Sequence, residues 1–251
     1  MTLIRRHQQR PLVTQPGRNG ATFSEATIAG HVKRAKQLIN HAVELGCIST
    51  NPFNKLKAGS QANDERKQYV PTVTIQKVID AAPDAEWRLL IALVRYAGLR
   101  NPSESLRLRW SDIDWAEGRM NVTSPKTKRQ GKAGRSVPIF AALRPFLEDA
   151  YEAADDGAEY CISRYRSQDI NLRTGLERII AKAHVTPWPR LWHNLRASAE
   201  TDLVKSFPAH VAAAWLGHTP TVAVKHYLTV VDEDFERAAN WSVNQVGQGV
   251  G

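Results

Sequence analysis

Cysteine is almost absent from this chain. The two in its 251 residues, Cys47 and Cys161, lie far apart and without metal-ligand spacing. They read as reduced, ordinary side chains of a cytosolic protein, not as a disulfide framework or a zinc site. No apolar run approaches the roughly 18 residues that a membrane helix requires. The stretch Met1 to Gly20 is polar and basic with no apolar centre, so it is not expected to serve as a secretory signal. A glycine-rich phosphate-binding loop is missing too, as are internal repeats and low-complexity tracts.

What the chain does have is positive charge: a formal net charge of +9 and an isoelectric point near 9.7. A net +7 of that excess falls in residues 1–70. Such a balance attracts a polyanion, which could be DNA, RNA or an anionic lipid surface. No basic amphipathic helix of the kind that lies on membranes stands out. The 42% hydrophobic content is ordinary for a folded globular protein.

Breakers and periodicity divide the chain. Residues 1–20 read as a flexible basic arm, with Pro11, Pro16, Gly17 and Gly20 as interruptions. Ile28, Val32, Ala35, Leu38, Ile39, Ala42 and Val43 recur at three- and four-residue steps, predicting a helix over 24–45 with Ser24 as N-cap and Gly46 as stop. This helix anchors a helical region over 21–54, followed by a polar, mixed-charge linker over 55–70. A second region over 71–240 starts with helices at 72–82 and 85–97, the latter ending at Gly98. Alternation predicts strands at 112–115 and 119–123, and a third over 136–139, where Pro138 suits a strand end. Helices follow over 140–153, 168–183, 190–204, 208–215 and 219–228, then a tail over 241–251. The fold class is mainly α with a small antiparallel sheet.

Five residues stand out for chemistry: Arg100 after Gly98-Leu99, His193 and Arg196 in His193-Asn194-Leu195-Arg196, His218 in Leu216-Gly217-His218, and Tyr227 nine positions later. Arginines grip a phosphate, a tyrosine attacks it, and histidines move or stabilise protons. Together they suit phosphoryl transfer through a covalent tyrosine intermediate. Each alone has an ordinary explanation. Arg100 and Glu104 could be an exposed ion pair of little worth, His193 and Arg196 could line a surface helix, His218 could cap a helix end, and Tyr227 could be a core tyrosine. Five Lys/Arg and no acid lie between Ser124 and Arg135. That loop is either merely solvated or in reach of a phosphate backbone, with one lysine placed as a proton donor.

In this order and spacing the residues resemble the tyrosine recombinase (phage integrase) family, over about 24–239 and most strongly after Pro71. Gly98-Leu99-Arg100 with Glu104 and Leu108-Arg109-Trp110-Ser111-Asp112 is similar to the family's first arginine box. Lys126-Thr127 before Val137-Pro138 is similar to its hairpin lysine, and the two histidine motifs with Tyr227 to its remaining boxes. Two departures stand out. Glu104 follows the arginine by four positions, where the family usually has three, and too few helices precede Pro71 for the usual four-helix DNA clamp.

The resemblance implies a recombinase catalytic domain behind a shortened helical core-binding region. It implies Arg100 and Arg196 on the scissile phosphate, Glu104 in support, Tyr227 as nucleophile, His193 as proton acceptor and His218 as a phosphate hydrogen-bond donor. Lys126 would protonate the leaving oxygen, with Lys128 as fallback. Lys128, Arg129, Lys132 and Arg135 in the loop, and Lys33 and Arg34 on the first helix, would contact DNA. No metal or nucleotide cofactor is implied. The partners would be double-stranded DNA and further copies of the chain, four on DNA and one without it. Phe235, Ala238, Ala239 and Trp241 form an apolar set for docking into a neighbour or onto the chain's own domain. Two other readings stay open on sequence grounds: a non-catalytic helix-turn-helix-like DNA-binding module and a type IB topoisomerase-like enzyme. The site itself is expected to be one positively charged concave surface lined by Arg100, Lys126, His193, Arg196 and His218. Tyr227 would lie at its rim, free to swing away without DNA.

Overall fold

Ser24 opens the first helix as the periodicity predicts: its hydroxyl accepts from the Thr27 amide at 3.3 Å, satisfying one of the amides that every helix start leaves unpaired. The computed structural model describes residues 23–59, 66–123, 134–167 and 170–218. The chain divides into two compact units, Met1–Glu65 and Arg66–Gly251. In the first, helix α1 spans Glu25–Glu44. Asn51 ties the following turn back to it through Lys36 O at 3.0 Å and Asn40 Oδ1 at 2.6 Å. Ala29, Gly30 and Val32 of α1 are buried, whereas Leu38, predicted on the same packed stripe, is 70% exposed.

The second unit contains six helices among the described residues. They are α2 (Thr72–Asp80), α3 (Ala85–Tyr96), α4 (Arg144–Glu152), α5 (Leu172–Lys182), α6 (Leu191–Ser206) and α7 (Ala209–Leu216). Between α3 and α4 runs an antiparallel sheet, β1 (Ile113–Asp114), β2 (Arg119–Thr123) and β3 (Gly134–Pro138), in the order β1-β2-β3. Met120 pairs with Val137 and Val122 with Arg135. Met120, Val122 and Val137 turn inward while Arg119, Asn121 and Thr123 face out, the period-2 alternation of a half-buried sheet. The fold is therefore mainly α with a small antiparallel sheet, as the sequence pattern indicates. No described helix is long and apolar enough to cross a membrane.

Helix α3 is the axis of this unit. Every residue from Leu89 to Val94 is fully buried, so the helix is covered on all sides. Helix α6 is nearly as deep, with Asn194 through Thr201 all buried. Its polar residues are satisfied locally: Ser198 donates to Asn194 O and Thr201 to Ala197 O, at 2.8 and 3.0 Å. Asn194 donates to Pro189 O at 2.7 Å and to Arg66 O at 3.0 Å, fixing the entry into α6.

Val70, read from sequence as the end of a linker, is buried in this core, and Tyr69 is tied to it. The Val70 amide donates to Ser198 Oγ at 2.8 Å, and Arg95 Nε to Val70 O at 3.1 Å. Asp202 accepts from the Tyr69 hydroxyl and pairs with Arg95 Nη2, both at 2.7 Å. Arg95 is 1% exposed, so its charge depends on Asp202, and the pair fastens α3 to α6. Breaking a fully buried pair costs about 3–5 kcal/mol. Asp202, one-third exposed at its side chain, places Asp202→Ala below that range, at roughly 2–3 kcal/mol. Urea unfolding should show a lower midpoint with an unchanged slope; a midpoint equal to that of the parent chain would remove Asp202 from this role.

Candidate active site

Two left-handed glycines bring the ends of α3 and α7 together. Gly98 (φ 63°) follows α3, and a Cβ there would overlap the Leu216 side chain. Gly217 (φ 69°) closes α7, with the Gly217 amide bonded to Ala214 O at 3.3 Å and the His218 amide to Ala213 O at 3.2 Å. This is a Schellman termination. It leaves the next three carbonyls, those of Trp215, Leu216 and Gly217, pointing off the helix end.

Each of these carbonyls receives one arginine from a different part of the chain. Arg135 Nε donates to Trp215 O at 2.5 Å, Arg196 Nη2 to Leu216 O at 2.6 Å, and Arg100 Nη2 to Gly217 O at 2.9 Å. The second Arg196 amino group donates to Gly98 O. The negative end of a helix favours cations, and here it gathers three. Trp215 is held in turn by edge-on rings, Phe140 at 5.7 Å and Phe207 at 4.9 Å.

Glu104 sits among the guanidiniums. Arg135 grips its carboxylate through two bonds, at 3.0 and 2.8 Å. Arg100 bonds it through Nη1 at 2.5 Å and through its own amide at 2.9 Å, and Arg196 Nη1 lies 3.9 Å away. The turn over 100–104 makes this possible, because the Glu104 amide returns to Arg100 O at 2.8 Å. A spacing of four thus places the carboxylate against Arg100. Burial alone would push the Glu104 carboxyl upward, but the Arg135 hydrogen bonds and the charges of Arg135 and Arg100 hold it down at about 2.

The sequence profile of the phage integrase family matches residues 69–234. The chain belongs to that family. It is a tyrosine recombinase, and its fold is similar to those of solved relatives. A lambda integrase (75–356) dimer bound to a COC′ core site is 19% identical, with a TM-score of 0.62 over 83% of this chain and 77% of that one. The Tn1549 transposon integrase (aa 82–397) with circular intermediate DNA is 16% identical, with a TM-score of 0.61 over 88% and 80%. XerA recombinase is 19% identical, with a TM-score of 0.56 over 86% and 75%. The chain spans 61% of the protein in a second lambda integrase dimer structure. No curated protein sequence matches it.

Within this recombinase, Arg100 and Arg196 do meet: both reach Glu104 and adjacent carbonyls at the end of α7. Arg100 is the more accessible, its side chain 22% exposed against 4% for Arg196. His193 lies one turn before Arg196 on α6 and is half-buried. His218 follows Gly217 directly, its Nε2 3.1 Å from Glu200 Oε2. Lys126, Lys128, Arg129, Lys132 and Tyr227 lie outside the described residues, as do the basic arm, the predicted 219–228 helix and the apolar tail set. Lys33 and Arg34 are exposed on α1 in the first unit.

Arg135 differs from its sequence expectation. Read as a loop cation facing DNA, it is only 10% exposed at its side chain and spends its donors on Glu104 and Trp215. Its place in β3, paired with Val122, turns it inward. Glu200 was not singled out from sequence at all.

The depressed Glu104 carboxyl sets a pH test. A group whose folded pKa lies below its unfolded value stabilises the fold above the unfolded value and loses that contribution as pH falls through the folded one. Glu104 contributes fully above about 4.5 and loses the contribution between there and about 2. Glu104→Gln should lower stability by roughly 3–5 kcal/mol near neutrality. The gap to the parent chain, read from urea midpoints, should narrow as pH falls from 5 towards 2. A gap that is flat or widens with acid contradicts this assignment.

Proposed function

We propose that the chain is a site-specific DNA recombinase that cleaves and rejoins double-stranded DNA through a 3′-phosphotyrosyl intermediate. The observation that carries this reading is the convergence of Arg100 and Arg196, 96 positions apart in a family member, on one buried carboxylate and one helix end. Three guanidiniums against Glu104 leave the site cationic, ready for a phosphodiester. Forked arginine donors match phosphate oxygens and neutralise the charge that grows in the transition state.

In the reaction, the Tyr227 hydroxyl attacks phosphorus and the bond to the 5′-oxygen breaks. A phenol near pKa 10 is mostly protonated at neutral pH, so His193 takes its proton. Lys126 gives a proton to the leaving 5′-oxygen, with Lys128 as the alternative donor. His218 hydrogen-bonds a non-bridging oxygen. Attack by the 5′-hydroxyl of another strand reverses these steps and frees Tyr227. Arg100, partly exposed, meets the phosphate first. Arg196 is oriented by its bonds to Gly98 O and Leu216 O.

The helical segment over 21–54 serves as the DNA clamp, with Lys33 and Arg34 on the backbone, and Lys128, Arg129 and Lys132 add contacts from the hairpin loop. Such contacts position the duplex without reading sequence. Lambda integrase occurs as a DNA-bound dimer and as a tetramer on a Holliday junction, which supports assembly of four copies on two duplexes here. The compartment is the cytoplasm.

Covalent trapping tests the reading. A nicked, random-sequence duplex library loses a short 5′-hydroxyl fragment on cleavage and so strands the adduct. The parent chain should form a denaturation-resistant protein–DNA adduct. Tyr227→Phe should form none while still binding DNA, and Arg100→Ala or Arg196→Ala should slow adduct formation by about 10²–10³. Binding without any adduct would make the chain a DNA-binding module, and relaxation of plasmids lacking a recombination site would favour a topoisomerase.

A further inference from the structure

Glu200 lies one helical turn beyond Arg196 on α6 and is fully buried. Its Oε2 is 3.1 Å from His218 Nε2, and both side chains are at most 5% exposed. Its other oxygen, Oε1, is buried and has no hydrogen-bond partner among the described residues. A carboxylate so placed is costly unless a donor or cation compensates it. Of the side chains around it, His218 is the one whose bond to Glu200 the geometry defines. The other charged groups of the site are Arg196 on α6, Arg100 and Glu104 on the 100–104 turn, and Arg135 on β3. Glu104 is already occupied by Arg135 and Arg100.

We infer that Glu200 is a positioning residue for strand cleavage: it holds the His218 ring by Nε2–H, so that any bond from this ring to the scissile phosphate runs from Nδ1. Nδ1 can donate to a phosphate oxygen only when the imidazole carries both protons, because a neutral ring has a single N–H. The Glu200 carboxylate accepts from Nε2 and so fixes the orientation of the ring. A second carboxylate thereby does for His218 what Glu104 does for the arginines. Outer partners of this kind fix tautomer and orientation of a histidine without touching the substrate. The inference rests on the reading of His218 as a phosphate donor.

Nitrogen NMR of the full-length, ¹⁵N-labelled chain without DNA tests the pairing independently of activity. His218 is assigned by subtracting the spectrum of His218→Asn. In the parent chain the His218 ring should carry a proton on Nε2. On the trapping duplex, Glu200→Gln should slow adduct formation about tenfold with DNA affinity unchanged. Combined with His218→Asn it should add little, as expected of two residues acting as one unit. An Nε2 without a proton in the parent chain overturns the inference with no variant needed. So does a Glu200→Gln chain that folds and cleaves at the parent rate. Absence of any adduct from the parent chain would instead defeat the recombinase reading and with it the catalytic role of Glu200, leaving the NMR to decide the pairing alone.

Discussion

The bonding of Glu104 to Arg135 and Arg100 is the interaction on which the site depends. Like charges 4 Å apart repel by about 4 kcal/mol at an effective dielectric of 20, so three guanidiniums do not gather without an anion among them. Glu104 supplies it from within the core, bonded to two of the arginines and 3.9 Å from the third. Its carboxyl is held so far down that it remains charged across all ordinary conditions. The arrangement costs desolvation of several charged groups. On the proposed reading, the positive excess that survives is what would receive a phosphate.

The same arginines also terminate α7. The Schellman turn satisfies the carbonyls of Ala213 and Ala214, and the arginines satisfy those of Trp215, Leu216 and Gly217. A helix end without such partners would leave buried carbonyls unpaired. His218 is the next residue, and Tyr227 follows nine positions on. The groups proposed to bind phosphate therefore also fix the end of α7.

Much of this was legible in the sequence, for identifiable reasons. Helix α1 and the α3–Gly98 boundary follow from three- and four-residue periodicity with a cap or a glycine stop, and β2 from strict alternation. The pairing of Arg100 and Glu104 was visible as a spacing of four. Arg135 was not legible: a run of cations without an acid reads as a solvated loop, and its partner Glu104 stands 31 positions earlier. Glu200 escaped because a glutamate one turn after an arginine is what an exposed helix shows. Only the burial of α6 from Asn194 to Thr201 gives it another meaning. Tyr69 and Val70 looked like linker because their anchors, Asp202 and Ser198, are about 130 positions away. Leu38 errs in the opposite sense: periodicity identifies a face but not whether anything covers it.

The most direct measurement is a crystal structure of the chain with a cleaved duplex and vanadate in place of the scissile phosphate. The account predicts Arg100 and Arg196 both within hydrogen-bond distance of equatorial oxygens on one vanadium, with the Tyr227 oxygen apical. A vanadate held by Arg100 alone, with Arg196 still on Gly98 O and Leu216 O, would contradict it.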